Sequence, residues 1–140
     1  MVGELPADWI KGLSIPKQLC SANYDTAVNK WGVKCGGSLG MWESSGWIAA
    51  IDPYGWFQWY CRFFQGRRST DDERQISRWG KSAGLNGRFR SQLCNKTLQA
   101  GAKHDDPKIS PVIRQTLHHW GFELTPQALA QHKKKLGIKT

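Results

Sequence analysis

Basic side chains are concentrated in one quarter of the chain, and the chemistry that they offer is anion binding. Residues 62–96 hold nine Lys or Arg and three Asp or Glu, so +6 of the net charge of +9 lies there. Guanidinium and ammonium groups bind phosphate oxygens, and Arg, Asn and Gln also match the edges of bases. The predicted nucleic-acid-binding residues are Arg62, Arg67, Arg68, Arg74, Arg78, Lys81, Arg88, Arg90, Gln92, Asn95 and Lys96.

A second set of titratable side chains is of the kind that performs acid–base or metal chemistry. His118 and His119 are adjacent, and because neighbours on a helix point about 100° apart, only one of them can face a given site. Asp71 and Asp72 are suited to hold a divalent metal ion beside a bound phosphate. Both pairs also have structural explanations, as surface histidines of a helix and as acids that cap a helix start.

Metal and cofactor motifs are largely absent from the sequence. There is no Cys-x-x-Cys or His-x-x-x-His pair, and residues 32–38 lack the Gly-Lys-Ser/Thr ending of a phosphate-binding loop. We therefore predict no metal and no cofactor. The four cysteines are widely spaced, no apolar run approaches about 18 residues, and the first residues do not read as an export signal. These features predict reduced thiols, no membrane partner and a cytoplasmic location.

The elements that must position these residues are marked by helix start and stop signals from residue 38 onward. Asp52-Pro53, Thr70–Glu73, Ser110-Pro111 and Thr125-Pro126 each have the composition of a helix N-terminus. Glycines follow the predicted helices where C-terminal caps are expected. Apolar residues occupy nearly every direction along 53–65, which predicts a helix buried by its neighbours.

These signals predict an all-α fold, a compact orthogonal bundle of six or seven short helices. A chain of 140 residues is long enough for one core, so we predict a single domain spanning 1–140. Within it we expect a largely irregular N-terminal segment at 1–37, a helical core at 38–137 and a tail at 138–140.

Two of the predicted helices, at about 70–100, have the outline of a helix-turn-helix pair. The short turn Gly84-Leu85-Asn86 joins them, and the second helix exposes Arg88, Gln92 and Asn95 as candidate base readers. The surrounding Arg and Lys side chains would contact phosphates, and Lys133–Lys135 would add a basic arm. The leading hypothesis is a protein that binds nucleic acid through residues 62–96, with DNA favoured over RNA.

Two alternatives come from the same residues. A small enzyme would hold a phosphorylated or other anionic substrate in an arginine cluster made of Arg62, Arg67, Arg68 and Arg74. A protein-interaction module, including a homodimer, would use exposed rings of Trp42, Trp47, Trp56 and Trp59. An enzyme predicts a concave pocket where arginines and a histidine or carboxylate converge. A purely structural protein predicts arginines paired with Asp71–Glu73.

The aromatic block is also the most distinctive stretch of sequence. It reads DPYGWFQWYCRF from Asp52, and is followed by GRR at 66–68, DDERQISRW at 71–79 and RQTLHHW at 114–120. Together these motifs resemble a group of short uncharacterised proteins over residues 30–125. The resemblance implies a shared fold, and it carries over no catalytic or binding residues.

Overall fold

The computed structural model describes residues 2–15, 25–36 and 39–137, and every regular element in these ranges is helical. Short 3-10 helices cover Val2–Glu4 and Thr26–Val28. The α-helices are α1 (Ala7–Ile10), α2 (Leu39–Ser44), α3 (Trp56–Phe64), α4 (Asp72–Ala83), α5 (Arg88–Gln99), α6 (Pro111–His119) and α7 (Pro126–Lys135). The predicted all-α bundle of short helices is confirmed. The expected tail at 138–140 lies outside the described residues.

Helix α5 is the centre of the packing, because it contacts α4, α6 and α7. Its inward side chains Leu93 and Cys94 are fully buried, as the apolar pattern predicts. They pack against Ala83 of α4, Leu117 of α6 and Leu124. Burying a leucine side chain stabilises the fold by about 2 kcal/mol, so this cluster fixes the position of α5.

The turn between α4 and α5 requires glycine at two positions. A Cβ atom at Gly84 would lie 2.6 Å from the carbonyl oxygen of Gly80, and one at Gly87 would lie 2.6 Å from the backbone of Ser82. The Gly87 N–H donates to the Gly84 carbonyl at 2.8 Å, which closes the turn. Because Gly84 and Gly87 have no side chains, the start of α5 lies directly against the end of α4. The predicted helix-turn-helix-like pair is therefore formed.

Helix α7 begins as its sequence predicts, whereas α4 does not. The Thr125 hydroxyl accepts a hydrogen bond from the Ala128 N–H at 3.1 Å, and proline follows at the first helical position. The predicted capping box at Thr70–Glu73 is wrong, because the N-cap residue is Asp71 and its side chain makes no cap hydrogen bond. The carboxylate of Asp72 instead accepts from the Ser69 N–H at 2.9 Å.

The start of α3 also differs from the sequence prediction. Asp52-Pro53 has the composition of a helix N-terminus, but α3 begins at Trp56 after Gly55. Asp52 is only 1% exposed, and its carboxylate accepts from Arg62 Nη1 at 2.9 Å and from Arg67 Nη1 and Nη2 at 2.9 and 2.7 Å. A buried carboxylate needs charged donors to offset its lost hydration. Asp52 therefore binds the two arginines instead of capping a helix.

The outer face of α3 is aromatic, and so the prediction of a helix buried on all sides is wrong. Phe57, Tyr60 and Phe64 are 49%, 37% and 64% exposed. Tyr60 stacks on Trp56 with ring centroids 5.3 Å apart, and Trp9 meets Phe64 edge-on at 5.4 Å. These contacts cover part of each ring, while the buried side of α3 carries Gln58, Trp59 and Cys61.

We predict that Asp52→Asn destabilises the protein by about 3 kcal/mol, because it leaves two guanidinium groups without their shared counter-charge. The free energy of unfolding is measured by urea titration followed by circular dichroism. Glu43→Gln is the matched control, since Glu43 is exposed and lies outside this ion-pair cluster. An Asp52→Asn protein as stable as the control would show that the shared carboxylate does not hold α3 in place.

Candidate functional site

Three arginines of the predicted interface are paired with carboxylates inside the protein. Arg62 and Arg67 share Asp52, and Arg62 also binds Glu4 with a closest distance of 2.7 Å. The hydrogen bonds that Arg62 donates to Glu4 and Asp52 raise the pKa of Arg62 above its ordinary value. Arg74 forms a two-pronged pair with Asp71 at 2.6 and 3.0 Å. Their charges are therefore neutralised locally. Only the Arg74–Asp71 pair is the one predicted for a purely structural protein, because Arg62 and Arg67 pair with Asp52 and Glu4 instead of Asp71–Glu73.

Two further arginines lie against aromatic rings. The guanidinium of Arg78 is half-buried, with its carbon 4.8 Å from the ring centre of Trp47 and 5.4 Å from that of Trp120. The guanidinium of Arg68 is 4.0 Å from the ring centre of Phe63 and also donates to the Phe63 carbonyl at 3.0 Å. Cation–π contacts of this kind hold the side chain in a defined direction. Arg78 points into the fold, whereas Arg68 is exposed.

The remaining predicted residues lie on or beside α5. Spacings of three and four residues place its exposed polar side chains on a single stripe. This stripe consists of Arg88, Gln92, Asn95, Lys96 and Gln99. Arg90 flanks it, half-buried over the ring of Phe122 at 4.7 Å. Lys81 is exposed in the last turn of α4. The structure thus brings the α5 residues together and separates them from the paired arginines.

Helix α7 extends this surface. The His132 Nε2–H donates to Asn95 Oδ1 at 2.8 Å, and Lys135 Nζ donates to Asn86 Oδ1 at 2.7 Å. Neither α5 nor α7 contains Asp or Glu. The exposed and half-buried surface of these two helices, here named the α5–α7 face, carries six cations: Arg88, Arg90, Lys96, Lys133, Lys134 and Lys135. The three successive lysines point about 100° apart and are therefore spread around the end of α7. Across the described ranges, none of the six forms an ion pair.

Sequence reasoning did not include the lysines of α7 in the candidate site. Lys133–Lys135 sits near the end of the chain, where it reads as a separate arm. The structure shows that these residues form the last turn of a helix that packs on α5. The available signal was the absence of any acidic residue after Glu123, which leaves the lysines without a nearby counter-charge in sequence.

One of the adjacent histidines contacts a cysteine. Nδ1 of His119 lies 3.2 Å from the Cys35 sulfur, and its Nε2 lies 3.0 Å from Nε2 of Gln115. The Gln115 amide oxygen accepts the Trp31 N–H at 2.9 Å, so its nitrogen faces His119 and donates. The neutral ring of His119 therefore carries its proton on Nδ1 and directs it at the sulfur.

The direction of this hydrogen bond determines whether His119 could activate Cys35 as the nucleophile of an enzyme. A histidine activates a thiol by accepting its proton on an unprotonated nitrogen, and here the nitrogen beside Cys35 already carries a proton. Loss of hydration, followed by the neighbouring His118, lowers the pKa of His119, which favours the neutral ring. The Cys35–His119 contact is therefore not arranged as a nucleophile and its base. The spacing of 84 residues between the two explains why sequence reasoning did not pair them.

The adjacent carboxylates have structural partners as well. Asp71 binds Arg74, and Asp72 accepts from Ser69 and from the indole N–H of Trp59 at 2.8 Å. These hydrogen bonds lower the pKa of both acids. Within residues 2–15, 25–36 and 39–137, no three His, Cys, Asp or Glu side chains are grouped as a metal site would need. The carboxylates join α4 to its surroundings.

The four tryptophans considered as a partner surface are unequally exposed. Trp47 is 43% exposed, Trp42 and Trp56 are partly covered, and Trp59 is buried at 3%. The exposed aromatic surface is formed mainly by the Phe and Tyr side chains of α3.

Comparison with known proteins gives no match to a family model, a curated protein or a solved structure. Across the described ranges, none of the helices has both the length and the apolar character needed to span a bilayer.

We predict that mild acid weakens the packing of α7 on α5 through His132. This side chain is 5% exposed, and burial, then Lys135 and Arg90, lower its pKa. As pH falls, the unfolded chain takes up this proton first, at a pKa of about 6.5. Stability is therefore lost below about pH 6.5, and the loss levels off below the lower pKa of the folded protein.

The measurement is the free energy of unfolding at pH 7.5 and pH 5.0 for the wild type and His132→Gln, in which an amide N–H remains for Asn95. The variant should lose less stability on acidification, by about 1.4 kcal/mol for each unit of pKa shift removed. Equal losses in the two proteins would assign the acid sensitivity to other groups.

Proposed function

We propose that the protein binds nucleic acid through the α5–α7 face and that duplex DNA is its preferred form. The observation that carries this proposal is the set of six cations on two contacting helices that contain no carboxylate. A phosphate backbone presents regularly spaced negative charges, and each engaged cation releases a condensed counter-ion. An extended surface of one sign matches that ligand better than it matches a single small anion.

Three of the other arginines are excluded from the proposed site because each is already paired with a carboxylate. Arg62, Arg67 and Arg74 face carboxylates at 2.6 to 2.9 Å, so a phosphate would have to compete with an ion pair that already exists. The cations of α5 and α7 carry no such competitor among the described residues. We therefore assign phosphate binding to Arg88, Arg90, Lys96 and Lys133–Lys135, with Arg68 and Lys81 as flanking contacts.

The shape of α5 supports reading of DNA in particular. Its 12 residues span about 18 Å, and the major groove of B-form DNA, about 12 Å wide, admits one helix. The major groove of double-stranded RNA is too deep and narrow for side chains to read. Arg88 and Gln92 lie on the outer stripe of α5 as candidate base readers. Asn95 keeps its amide N–H groups for a base while its oxygen accepts from His132.

The arginine-cluster enzyme receives less support from the geometry. A cavity of about 480 Å³ is lined by Arg62 and Arg67, but Glu4 also lines it and Asp52 holds both guanidinium groups. A second candidate function is favoured by a different observation, the exposed rings of Phe57, Tyr60 and Phe64. A protein partner, including a second copy of this chain, would bury these rings.

We predict that Arg88→Gln/Lys96→Gln weakens binding to duplex DNA and reduces its dependence on salt. Six engaged phosphates give a log–log salt slope of about −5, equivalent to a loss of about 10³-fold between 50 and 200 mM salt. Removing two contacts should reduce the slope to about −3.6. Fluorescence anisotropy of a labelled mixed-sequence duplex across this salt range measures both quantities.

The matched control is Lys11→Gln/Lys108→Gln, which removes the same charge from exposed positions outside the α5–α7 face. Its salt slope should equal that of the wild type. Equal slopes in both variants would mean that binding follows net charge alone. Absence of wild-type binding at 50 mM salt would reject nucleic-acid binding altogether.

We further predict that Gln92→Ala changes sequence preference without changing the salt slope, because Gln92 is uncharged and directed outward on α5. The wild type and the variant are each used to select duplexes from a random library. The preferred base at one or two positions should be lost, with a discrimination change of about 1–3 kcal/mol. Identical selected sequences would show that Gln92 does not contact a base.

A further inference from the structure

A cavity of about 810 Å³ is lined by none of the six cations of the α5–α7 face. It opens between the segment 25–36, α2, the start of α3 with the turn before it, α4, α6 and Phe89 of α5. Its volume is within the range of about 300–1,000 Å³ that is typical of small-molecule sites. The lining residues that matter here are Trp42, Trp47, Trp56, Trp120, Arg78 and Cys35.

Two cations line this cavity, Lys30 and Arg78. Lys30 is paired with Glu123, whereas Arg78 forms no ion pair among the described residues. One of its N–H groups donates to Gln75 Oε1 at 2.9 Å. Its other N–H groups have no acceptor among the described residues, and the nearby Asp71 is already paired with Arg74. Arg78 therefore presents free donors of the kind that bind carboxylate, sulfonate or phosphate oxygens.

The surroundings of Arg78 strengthen its attraction for an anion. Burial, followed by the charge of Arg74, lowers the pKa of Arg78 from its ordinary value, although a guanidinium remains a cation in proteins. A partly dehydrated charge interacts with an opposite charge more strongly than one in bulk water, because the local dielectric constant is lower.

The walls of the cavity select a flat ligand. Trp56 and Trp120 meet edge to face with ring centroids 4.9 Å apart, and Trp47 lies over the Arg78 guanidinium. Indole rings offer broad apolar surfaces on which another aromatic ring stacks. A ligand with a planar aromatic body and one anionic group would satisfy both the rings and the guanidinium.

We propose that this cavity binds a planar aromatic molecule that carries one anionic group. The anion lies on Arg78 and the aromatic body lies against the tryptophans. None of the six cations of the α5–α7 face lines this cavity, although Phe89 of α5, which lies between Arg88 and Arg90 in sequence, does.

The test uses two fluorescent probes that differ by one sulfonate, 8-anilinonaphthalene-1-sulfonate and the neutral N-phenyl-1-naphthylamine. The wild type should bind the sulfonate about tenfold more tightly, as one charge-assisted hydrogen bond predicts. In Arg78→Met this preference should disappear while the affinity for the neutral probe is unchanged. Lys108→Met removes one positive charge from an exposed position that does not line the cavity, and it should keep the preference.

A second readout locates the bound probe. Cys35 lines the cavity and is 8% exposed, whereas Cys61 and Cys94 are 1% and 0% exposed. Saturating sulfonate probe should slow the alkylation of Cys35 by iodoacetamide at least threefold, measured by peptide mass spectrometry. Alkylation of Cys61 and Cys94 reports any general change in the folded state.

Three results would each overturn the proposal: equal affinity of the wild type for both probes, a sulfonate preference that survives Arg78→Met, or unprotected Cys35 at saturating sulfonate probe. If Arg78→Met loses its helical circular dichroism, Arg78→Lys replaces it and should retain the preference because it keeps a cation. The slower alkylation of Cys35 in the wild type then shows whether the sulfonate probe binds in this cavity.

Discussion

A carboxylate that is 1% exposed, as in Asp52, is stable inside the packed chain only with its counter-charge beside it. Arg62 and Arg67 provide that charge, and they thereby fix α3 between the turn before it and the loop after it. The position of α3 sets that of Trp59, whose indole N–H holds Asp72 at the start of α4. From α4 the glycine turn leads directly into α5. Arg62 and Arg67, which the sequence suggests as phosphate-binding residues, therefore hold α3 in the position that the rest of the helices require.

Buried amide side chains orient polar groups along α4 and between α6 and the segment 25–36. Gln75 receives a hydrogen bond from Arg78 and gives one to Asp71, so that a cation and an acid of α4 are linked through the protein interior. Gln115 links the Trp31 backbone to His119 in the same manner. Each amide has a donor end and an acceptor end, and so it fixes the direction of its neighbours' hydrogen bonds as well as their distance.

The features that the sequence predicts correctly are those set by interactions between residues close to one another in the chain. Thr125-Pro126 and the glycines of the α4–α5 turn act on residues within a few positions, and the inward face of α5 follows from helical spacing. The partners of Arg62 and Arg67 could not be predicted, because Asp52 is equally suited to cap a helix and only tertiary packing decides. The Cys35–His119 contact and the folding of His132 onto Asn95 join residues 84 and 37 positions apart. No periodic pattern encodes such pairs.

Segregation of charge has a consequence for how the molecule moves near a charged partner. The carboxylates Asp52 and Asp71 lie on the α3–α4 side, where arginines neutralise them, and α5 and α7 carry positive charge alone. Such a distribution is an electric dipole, and a dipole experiences a torque in the field of a polyanion. Near a polyanion of the kind proposed above, this torque would turn the α5–α7 face forward before contact.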